Sequence, residues 1–288
     1  MASDVRLTAL ITGASAGLGR ELARQLAARG VHLVLVARDE ARLEGVAAEL
    51  RNRYRVRAEV LAADLSEGSE QDRVADRLRR DDSPVDILVN NAGFGVHDGF
   101  EASGIADERR LHELLSWAPL RLCHAAVPGM LRRGRGWILN VASVAAFTPA
   151  GTYGSAKAAL VSLSRSLNAR YRGRGVNVTA LCPGLLDTEF HERMGADHLP
   201  SLPRVAWAPV ARVAREGIRG VRRGRAVVVS DWRYRLFSPL ARVIPDRLLE
   251  RLTTTSDPGP ARITTPAARP ARRAPRRPAR PRGRRRAD

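Results

Sequence analysis

Five short apolar runs recur along the chain, and each spans five or six residues. Runs of this length predict buried strands, and strands that alternate with helices predict a parallel sheet covered on both faces. An amphipathic stretch from 18 to about 28 predicts the first such helix. The five predicted strands are 6–11, 31–36, 86–90, 137–141 and 176–181. The pattern therefore predicts an α/β domain.

A glycine-rich turn joins the first predicted strand to the first predicted helix. It reads Thr12-Gly13-Ala14-Ser15-Ala16-Gly17-Leu18-Gly19. Strand, glycine turn and helix in this order direct backbone N–H groups and the positive helix end toward a diphosphate, and the glycines leave room for it. Ser15 adds a hydroxyl donor. A glycine turn can also be simple chain punctuation, but its place directly after a strand favours dinucleotide binding.

The end of the second predicted strand bears on the cofactor. In a Rossmann domain this is where the chain reads the adenosine ribose, and a carboxylate there accepts hydrogen bonds from the 2′-hydroxyl of NAD. Here the two positions carry Ala37 and Arg38. Because a guanidinium suits the 2′-phosphate of NADP, the sequence favours NADPH over NADH. Asp39 either caps the next helix or holds Arg38 away from the ligand.

Lysine occurs once among the 49 Lys and Arg residues, as Lys157, four positions after Tyr153. On a helix this spacing puts both side chains on one face. An ammonium near a phenol favours the phenolate and lowers the tyrosine pKa, which makes Tyr153 a usable general acid or base. A Tyr-x-x-x-Lys pair alone is a weak indication, since both residues are common on helix surfaces.

Together these motifs resemble the short-chain dehydrogenase/reductase family, over nearly all of residues 5–230. Four further segments match in order: Asp64-Leu65, Asn90-Asn91-Ala92-Gly93, Ser143, and Pro183-Gly184 with Thr188. The resemblance implies a single doubly wound Rossmann domain with a parallel central sheet, which we place at 1–257 with a substrate lid at about 185–207. It implies cofactor contacts by Gly13, Ser15, Gly17, Gly19, Arg38, Asp64, Leu65, Asn91, Gly93, Tyr153, Lys157, Pro183, Gly184 and Thr188.

The resemblance also implies the reaction. Hydride would pass between the nicotinamide of NADPH and a carbonyl or secondary alcohol. Ser143 would hydrogen-bond the substrate oxygen and Tyr153 would transfer the proton, while Lys157 would bind the nicotinamide ribose and lower the tyrosine pKa. The three catalytic residues would thus be Ser143, Tyr153 and Lys157.

Two departures from the family pattern stand out. Ser143 and Tyr153 are ten residues apart, about three fewer than the family's common spacing, so the intervening loop is short. The family's fourth catalytic residue, an asparagine in the helix predicted at 111–131, aligns with Leu115. That asparagine marks a helix distortion whose main-chain carbonyl holds a water. Because Pro119 has no N–H, it would free the Leu115 carbonyl and offers a substitute distortion. The competing interpretation is that Leu115 marks a family member that catalyses slowly or not at all.

The last 31 residues, 258–288, differ from the rest of the chain. They contain eleven Arg, seven Pro and a single acidic residue, and Ile263 is their one sizeable aliphatic side chain. Such a segment cannot bury a core, so we expect a disordered tail. Its charge suggests nonspecific contact with nucleic acid or an anionic membrane.

Several broader expectations complete the interpretation. The first strand begins near Met1 and no long uncharged apolar run follows, which predicts a cytoplasmic protein. Cys123 and Cys182 lie in apolar contexts and are expected to be buried thiols. No metal site is expected, and His191 and His198 are expected to be solvent-facing lid residues. A homo-oligomer is expected from the small residues of the helix after Tyr153, which are Ala156, Ala158, Ala159 and Ser162.

Two function classes remain open. The first is an NADPH-dependent carbonyl reductase, or the reverse alcohol dehydrogenase, acting on a lipophilic ketone such as a 3-oxoacyl chain or a steroid-like molecule. The second is a catalytically weak NADP-binding protein with an interaction or regulatory role and a polyanion-binding tail. Ser143, Tyr153 and Lys157 favour the enzyme, whereas Leu115 and the tail favour the alternative.

Overall fold

The computed structural model describes residues 6–94, 100–186 and 207–230 of the chain. In these ranges seven strands form one parallel sheet in the order β3-β2-β1-β4-β5-β6-β7. The strands are β1 (Thr8–Thr12), β2 (His32–Ala37), β3 (Ala58–Ala62), β4 (Ile87–Asn90), β5 (Gly136–Val141), β6 (Val176–Cys182) and β7 (Val227–Val229). The predicted α/β fold class, a doubly wound parallel sheet, is confirmed.

Helices cover both faces of this sheet. They are α1 (Gly17–Ala27), α2 (Glu40–Tyr54), α3 (Gly68–Arg79), α4 (Ile105–His112), α5 (Ala118–Arg132), α6 (Gly151–Tyr171) and α7 (Val210–Arg222). The apolar stripes of α1, α2 and α7 share one core cluster, and those of α3 and α5 share another on the opposite face. Neighbouring strand residues therefore enter different cores: Leu10 and Ile11 are both fully buried, on opposite sides.

The strand order reverses at β1, which pairs with β2 on one side and with β4 on the other. At such a switch point the connections leave in opposite directions and open a crevice at the carboxyl ends of the strands. The glycine turn after β1 and the loop after β4 both emerge there. The sheet topology thus fixes where a ligand site can form before any particular side chain is considered.

The predicted elements agree with the observed ones, with one difference. Each of the five predicted strands overlaps an observed strand and ends within one residue of it. The helix predicted at 111–131 starts earlier, at Ile105, and a π-helical turn at Glu113–Trp117 divides it into α4 and α5. Asp39 caps α2, since its Oδ1 accepts a hydrogen bond of 2.9 Å from the Arg42 backbone N–H.

Both cysteines are buried and free, as expected. Among the described residues no helix is long and apolar enough to cross a membrane. In the same ranges no group of three or more His, Cys, Asp and Glu side chains is arranged to hold a metal ion. The predictions for Thr188, the lid histidines, the boundary near Asp257 and the tail fall outside the described residues, as does most of the predicted lid.

Candidate active site

The glycine turn is held against the loop after β4 by a compact hydrogen-bond set. Asn91 Nδ2 donates to the carbonyls of Thr12 (3.0 Å) and Gly13 (3.2 Å), and the Thr12 hydroxyl accepts from the Asn91 N–H at 2.9 Å. Gly13 has φ +65°, and an added Cβ there would lie 2.8 Å from Asn91 Nδ2. At Gly19 a Cβ would collide with the Gly13 carbonyl. These glycines are therefore required by close backbone approach.

The helix end that this turn presents is suited to an anion. α1 begins at Gly17, and its N-cap residue Ala16 makes no side-chain capping bond. Its first N–H groups are thus available at the positive end of the helix dipole. Ser15 lies beside them, about nine-tenths buried. The turn that the sequence marked as a diphosphate site therefore has the required donors.

At the adenosine end of the crevice, Arg38 and Asp64 come together. Arg38 Nη1 lies 3.9 Å from Asp64 Oδ2, and its side chain is 68% exposed. Burial of Asp64 acts to raise its pKa, but hydrogen bonds from Ser66 and the charges of Arg38 and Arg110 outweigh burial and hold the pKa below its usual value. Leu65, the next residue, packs its side chain into the core and can offer only its backbone.

The three predicted catalytic residues converge at the other end of the crevice. Ser143 follows β5, whereas Tyr153 and Lys157 project from the first turns of α6. The Ser143 hydroxyl hydrogen-bonds the Tyr153 side chain, and Lys157 Nζ lies 5.7 Å from the centre of the Tyr153 ring. Lys157 is 4% exposed and donates to the Val141 carbonyl at 2.9 Å. The i,i+4 spacing thus brings both side chains into one buried site.

The pKa shifts here differ from the expectation. Burial raises the pKa of Tyr153 above its usual value, although the hydrogen bond from Ser143 acts to lower it. Burial lowers the pKa of Lys157 to about 8, and the nearby Cys182 acts in the opposite direction. The expected lowering of the Tyr153 pKa is therefore not observed, because desolvation of the phenol outweighs the hydrogen bond from Ser143.

The family's asparagine position lies within the π-helical turn. Leu115 is 1% exposed and packs in a cluster with Ala156 and the partly buried Tyr153. An added Cβ at Gly93 would be 3.1 Å from the Leu115 side chain, so Leu115 covers the loop after β4. An apolar side chain at this position helps to exclude water from the tyrosine. This desolvation acts in the direction of the Tyr153 pKa shift.

The short loop after Ser143 ties the catalytic segment to β6. Residues Val144–Phe147 form a 3₁₀ turn, and the Ser143 hydroxyl accepts a hydrogen bond from the Ala145 N–H at 3.1 Å. The Val144 N–H donates to the Pro183 carbonyl at 3.0 Å. The predicted Pro183-Gly184 segment is therefore placed beside Ser143 even though the loop is clipped.

Two contacts between distant segments are not indicated by any local sequence pattern. Glu108 of α4 is buried and interacts with Thr152, next to Tyr153, and it also accepts a local hydrogen bond of 2.7 Å from the Ser103 hydroxyl. Arg110 of the same helix reaches Asp64, 46 positions earlier in the sequence.

The residues in the crevice fit a dinucleotide cofactor. Free N–H groups at the start of α1 suit a diphosphate, and exposed Arg38 suits an added phosphate. Lys157 Nζ carries three protons as an ammonium, and the Val141 carbonyl takes one of them, which leaves donors for ribose hydroxyls.

Comparisons with known proteins agree with this geometry. A family model described as short chain dehydrogenase matches residues 7–198. A short-chain dehydrogenase from Sphingobium yanoikuyae, solved in complex with NADPH, is 34% identical, with a TM-score of 0.75 over 89% of this chain and 98% of that one. A bulky-bulky ketone specific alcohol dehydrogenase from Comamonas testosteroni is 31% identical, with a TM-score of 0.71 over 89% and 97% of the two chains.

A curated relative extends the range of chemistry. The very-long-chain 3-oxoacyl-CoA reductase of Phaeosphaeria nodorum is 31% identical over 217 residues, which cover 73% of this chain and 64% of that protein. The similarity thus extends over less than two thirds of that relative's length.

Proposed function

The chain belongs to the short-chain dehydrogenase/reductase family of NAD(P)-dependent enzymes, and on that premise we propose that it is an NADPH-dependent reductase of a bulky lipophilic ketone. The observation that carries the proposal is the convergence of Ser143, Tyr153 and the single, buried Lys157 at one end of the crevice. Bound NADPH supplies the hydride.

In this proposal the chain's own residues manage the substrate oxygen and its proton. Ser143 donates a hydrogen bond to the carbonyl oxygen, and Tyr153 donates the proton that converts it to a hydroxyl. Because its raised pKa keeps Tyr153 protonated at neutral pH, the phenol is available as an acid in the reductive direction. Lys157, charged when ribose hydroxyls accept from it, offsets the negative charge left on the phenolate.

The NADPH preference rests on Arg38. Asp39 is engaged as the cap of α2, so the nearest carboxylate in sequence does not hold the guanidinium. The Sphingobium neighbour was solved with NADPH, which supports the same cofactor for this chain.

The substrate class rests on the apolar lining and on the neighbours. Leu115 and the partly buried Phe94 pack beside Tyr153. We infer that the short loop after Ser143 leaves more room for the substrate to approach. The specificity of the Comamonas enzyme supports a bulky ketone. A 3-oxoacyl thioester is the second candidate, favoured by the Phaeosphaeria relative.

A substrate panel tests the proposal. Purified protein should oxidise NADPH with diaryl or steroid-like ketones faster than with acetone-sized ketones. Higher kcat/KM on 3-oxoacyl thioesters would select the second candidate. The catalytic assignment is wrong if the protein binds NADPH but turns over neither class.

We also propose that the enzyme is a homo-oligomer paired through α6. Ala159 and Ser162 are exposed and Ala158 is half-buried, whereas Ala156 packs inside the protein's own fold and is no part of such a surface. Beside them a groove of about 310 Å³ is lined by the partly exposed Trp117 and Leu120. Light scattering should give a dimer or larger species, and Ala159→Arg should give a monomer. A monomeric wild-type protein at micromolar concentration would contradict this.

A further inference from the structure

Two arginines from different parts of the fold meet at one carboxylate. Asp64 Oδ2 lies 3.4 Å from Arg110 Nη2 and 3.9 Å from Arg38 Nη1. Oδ1 is held by Ser66, through its N–H at 3.0 Å and its hydroxyl at 2.7 Å. Arg110 Nε donates to the Ser66 hydroxyl at 3.2 Å. Arg110 is therefore anchored twice in this cluster, whereas Arg38 makes one long ion pair.

This arrangement bears on an electrostatic conflict at the adenosine end. A carboxylate next to Arg38 competes with a ligand phosphate for the guanidinium, and it also repels that phosphate. Asp64 is 71% shielded from solvent, so water screens its charge only in part. A phosphate can displace Asp64 from Arg38 more easily if the carboxylate keeps another cation.

Resting on the proposed NADPH preference, we propose that Arg110 is a positioning residue for cofactor selection: it retains Asp64 so that Arg38 can turn to the 2′-phosphate. The anchor on Ser66 keeps Arg110 in place when Arg38 leaves. Loss of Arg110 would leave Asp64 with Arg38 as its sole cationic partner among the described residues and so weaken the phosphate site.

The test measures binding, without turnover. Arg110→Gln is compared with the wild-type protein by calorimetry, using 2′,5′-ADP, which carries the 2′-phosphate, and 5′-AMP, which lacks it. Arg109→Gln is the matched control, since it removes the same charge from the adjacent exposed position of α4. Because these side chains are half exposed, the expected effect is modest. We expect Arg110→Gln to weaken 2′,5′-ADP about two- to fivefold more than 5′-AMP, and Arg109→Gln to weaken neither selectively.

A double substitution separates positioning from direct contact. If Arg110 acts through Arg38, Arg110→Gln should have no further selective effect in an Arg38→Gln background. Equal losses in both backgrounds would mean that Arg110 touches the phosphate itself, and the positioning role would be wrong. A loss shared equally by 2′,5′-ADP and 5′-AMP, or no loss, would also overturn it.

The outcome also separates this inference from the cofactor assignment. Wild-type protein that binds 2′,5′-ADP no better than 5′-AMP would remove the proposed NADPH preference, and this role of Arg110 with it. Preserved preference in the wild type together with an unaffected Arg110→Gln variant would remove the role of Arg110 alone.

Discussion

At the end of the crevice beside Arg38, the proposed adenosine end, the two arginines are more than half exposed and share one carboxylate, whereas at the end beside Tyr153, the proposed nicotinamide end, the charged group is a buried lysine. Arg38 is 68% exposed and shares Asp64 with Arg110, while Lys157 is 4% exposed and its ammonium donates to a backbone carbonyl. The exposed end can bind a charged group with a small desolvation cost. At the buried end, desolvation favours the neutral form of Lys157, and a bound ligand that accepts hydrogen bonds can favour the charged form again.

This contrast sets the size of the effects to expect. Exposed ion pairs contribute about 0–1 kcal/mol each and weaken with salt. A buried ionisable group is coupled to its surroundings much more strongly, because little water screens it. Substitutions of Tyr153 and Lys157 should therefore change rates by orders of magnitude, whereas those of Arg38 and Arg110 should change cofactor affinity by smaller factors.

The largest effect is expected from Tyr153→Phe. The substitution removes the hydroxyl proposed to transfer the proton and leaves the ring in place, so kcat should fall about 10²- to 10⁴-fold while NADPH still binds. Steady-state kinetics and fluorescence titration with NADPH measure the two quantities. A variant with near-normal kcat would exclude Tyr153 as the proton donor, and one that loses NADPH binding as well would mean that the phenol is needed to build the site.

The next effect concerns Lys157 and pH. The pKa of its ammonium is about 8 in the free protein, and ribose hydroxyls favour the charged form, so the pKa should rise on NADPH binding. NADPH binding is then accompanied by proton uptake at pH values between the two pKa values of Lys157, which are about 8 without NADPH and higher with it. At pH 8 the uptake should be about half a proton, and near pH 6 Lys157 should contribute almost none. NADPH affinity should fall as the pH rises above about 8.

Calorimetry in buffers of different ionisation enthalpy measures this uptake. Lys157→Arg is the matched variant, because a guanidinium stays charged and cannot take up the proton. The uptake at pH 8 should vanish in Lys157→Arg, and turnover should fall because the wider group does not fit the space. Lys157→Met provides a neutral second variant if the arginine protein does not fold. Unchanged uptake in these variants would assign the proton to another group.

The two ends also differ in how far the sequence predicts them. The glycine turn, Arg38 and the Tyr153–Lys157 spacing are local patterns, and the residues that they single out lie along the crevice. The Asp64–Arg110 contact and the interaction of Glu108 with Thr152 join segments far apart, and the contact of buried Lys157 with β5 is also a tertiary one. The predicted direction of the Tyr153 pKa shift was wrong for the same reason, because desolvation depends on how the whole site packs.

A smaller effect is expected for Arg38→Gln. It should reduce the preference for NADPH over NADH by about tenfold, the low end for a charge-assisted hydrogen bond, because the side chain is exposed and screened. Dissociation constants for both cofactors at low and at physiological salt measure this. The wild-type preference should itself shrink as salt rises. If neither salt nor Arg38→Gln changed the preference for NADPH over NADH, a buried group would have to recognise the ribose instead.

The smallest effect on turnover is expected at the π-helical turn. Pro119 has no N–H to donate to the Leu115 carbonyl, four residues earlier. In the family, the main-chain carbonyl at the asparagine position holds a water that relays the proton. We propose that the Leu115 carbonyl holds this water here. Pro119→Ala restores the donor, so kcat should fall about two- to tenfold with little change in NADPH affinity, since only the relay is impaired. Pro128→Ala, the same change deeper in α5, is the control and should leave kcat unaltered at a matched melting temperature. Equal rates in Pro119→Ala, Pro128→Ala and the wild type would mean that the proton leaves by another path and that the π-helical turn serves packing alone.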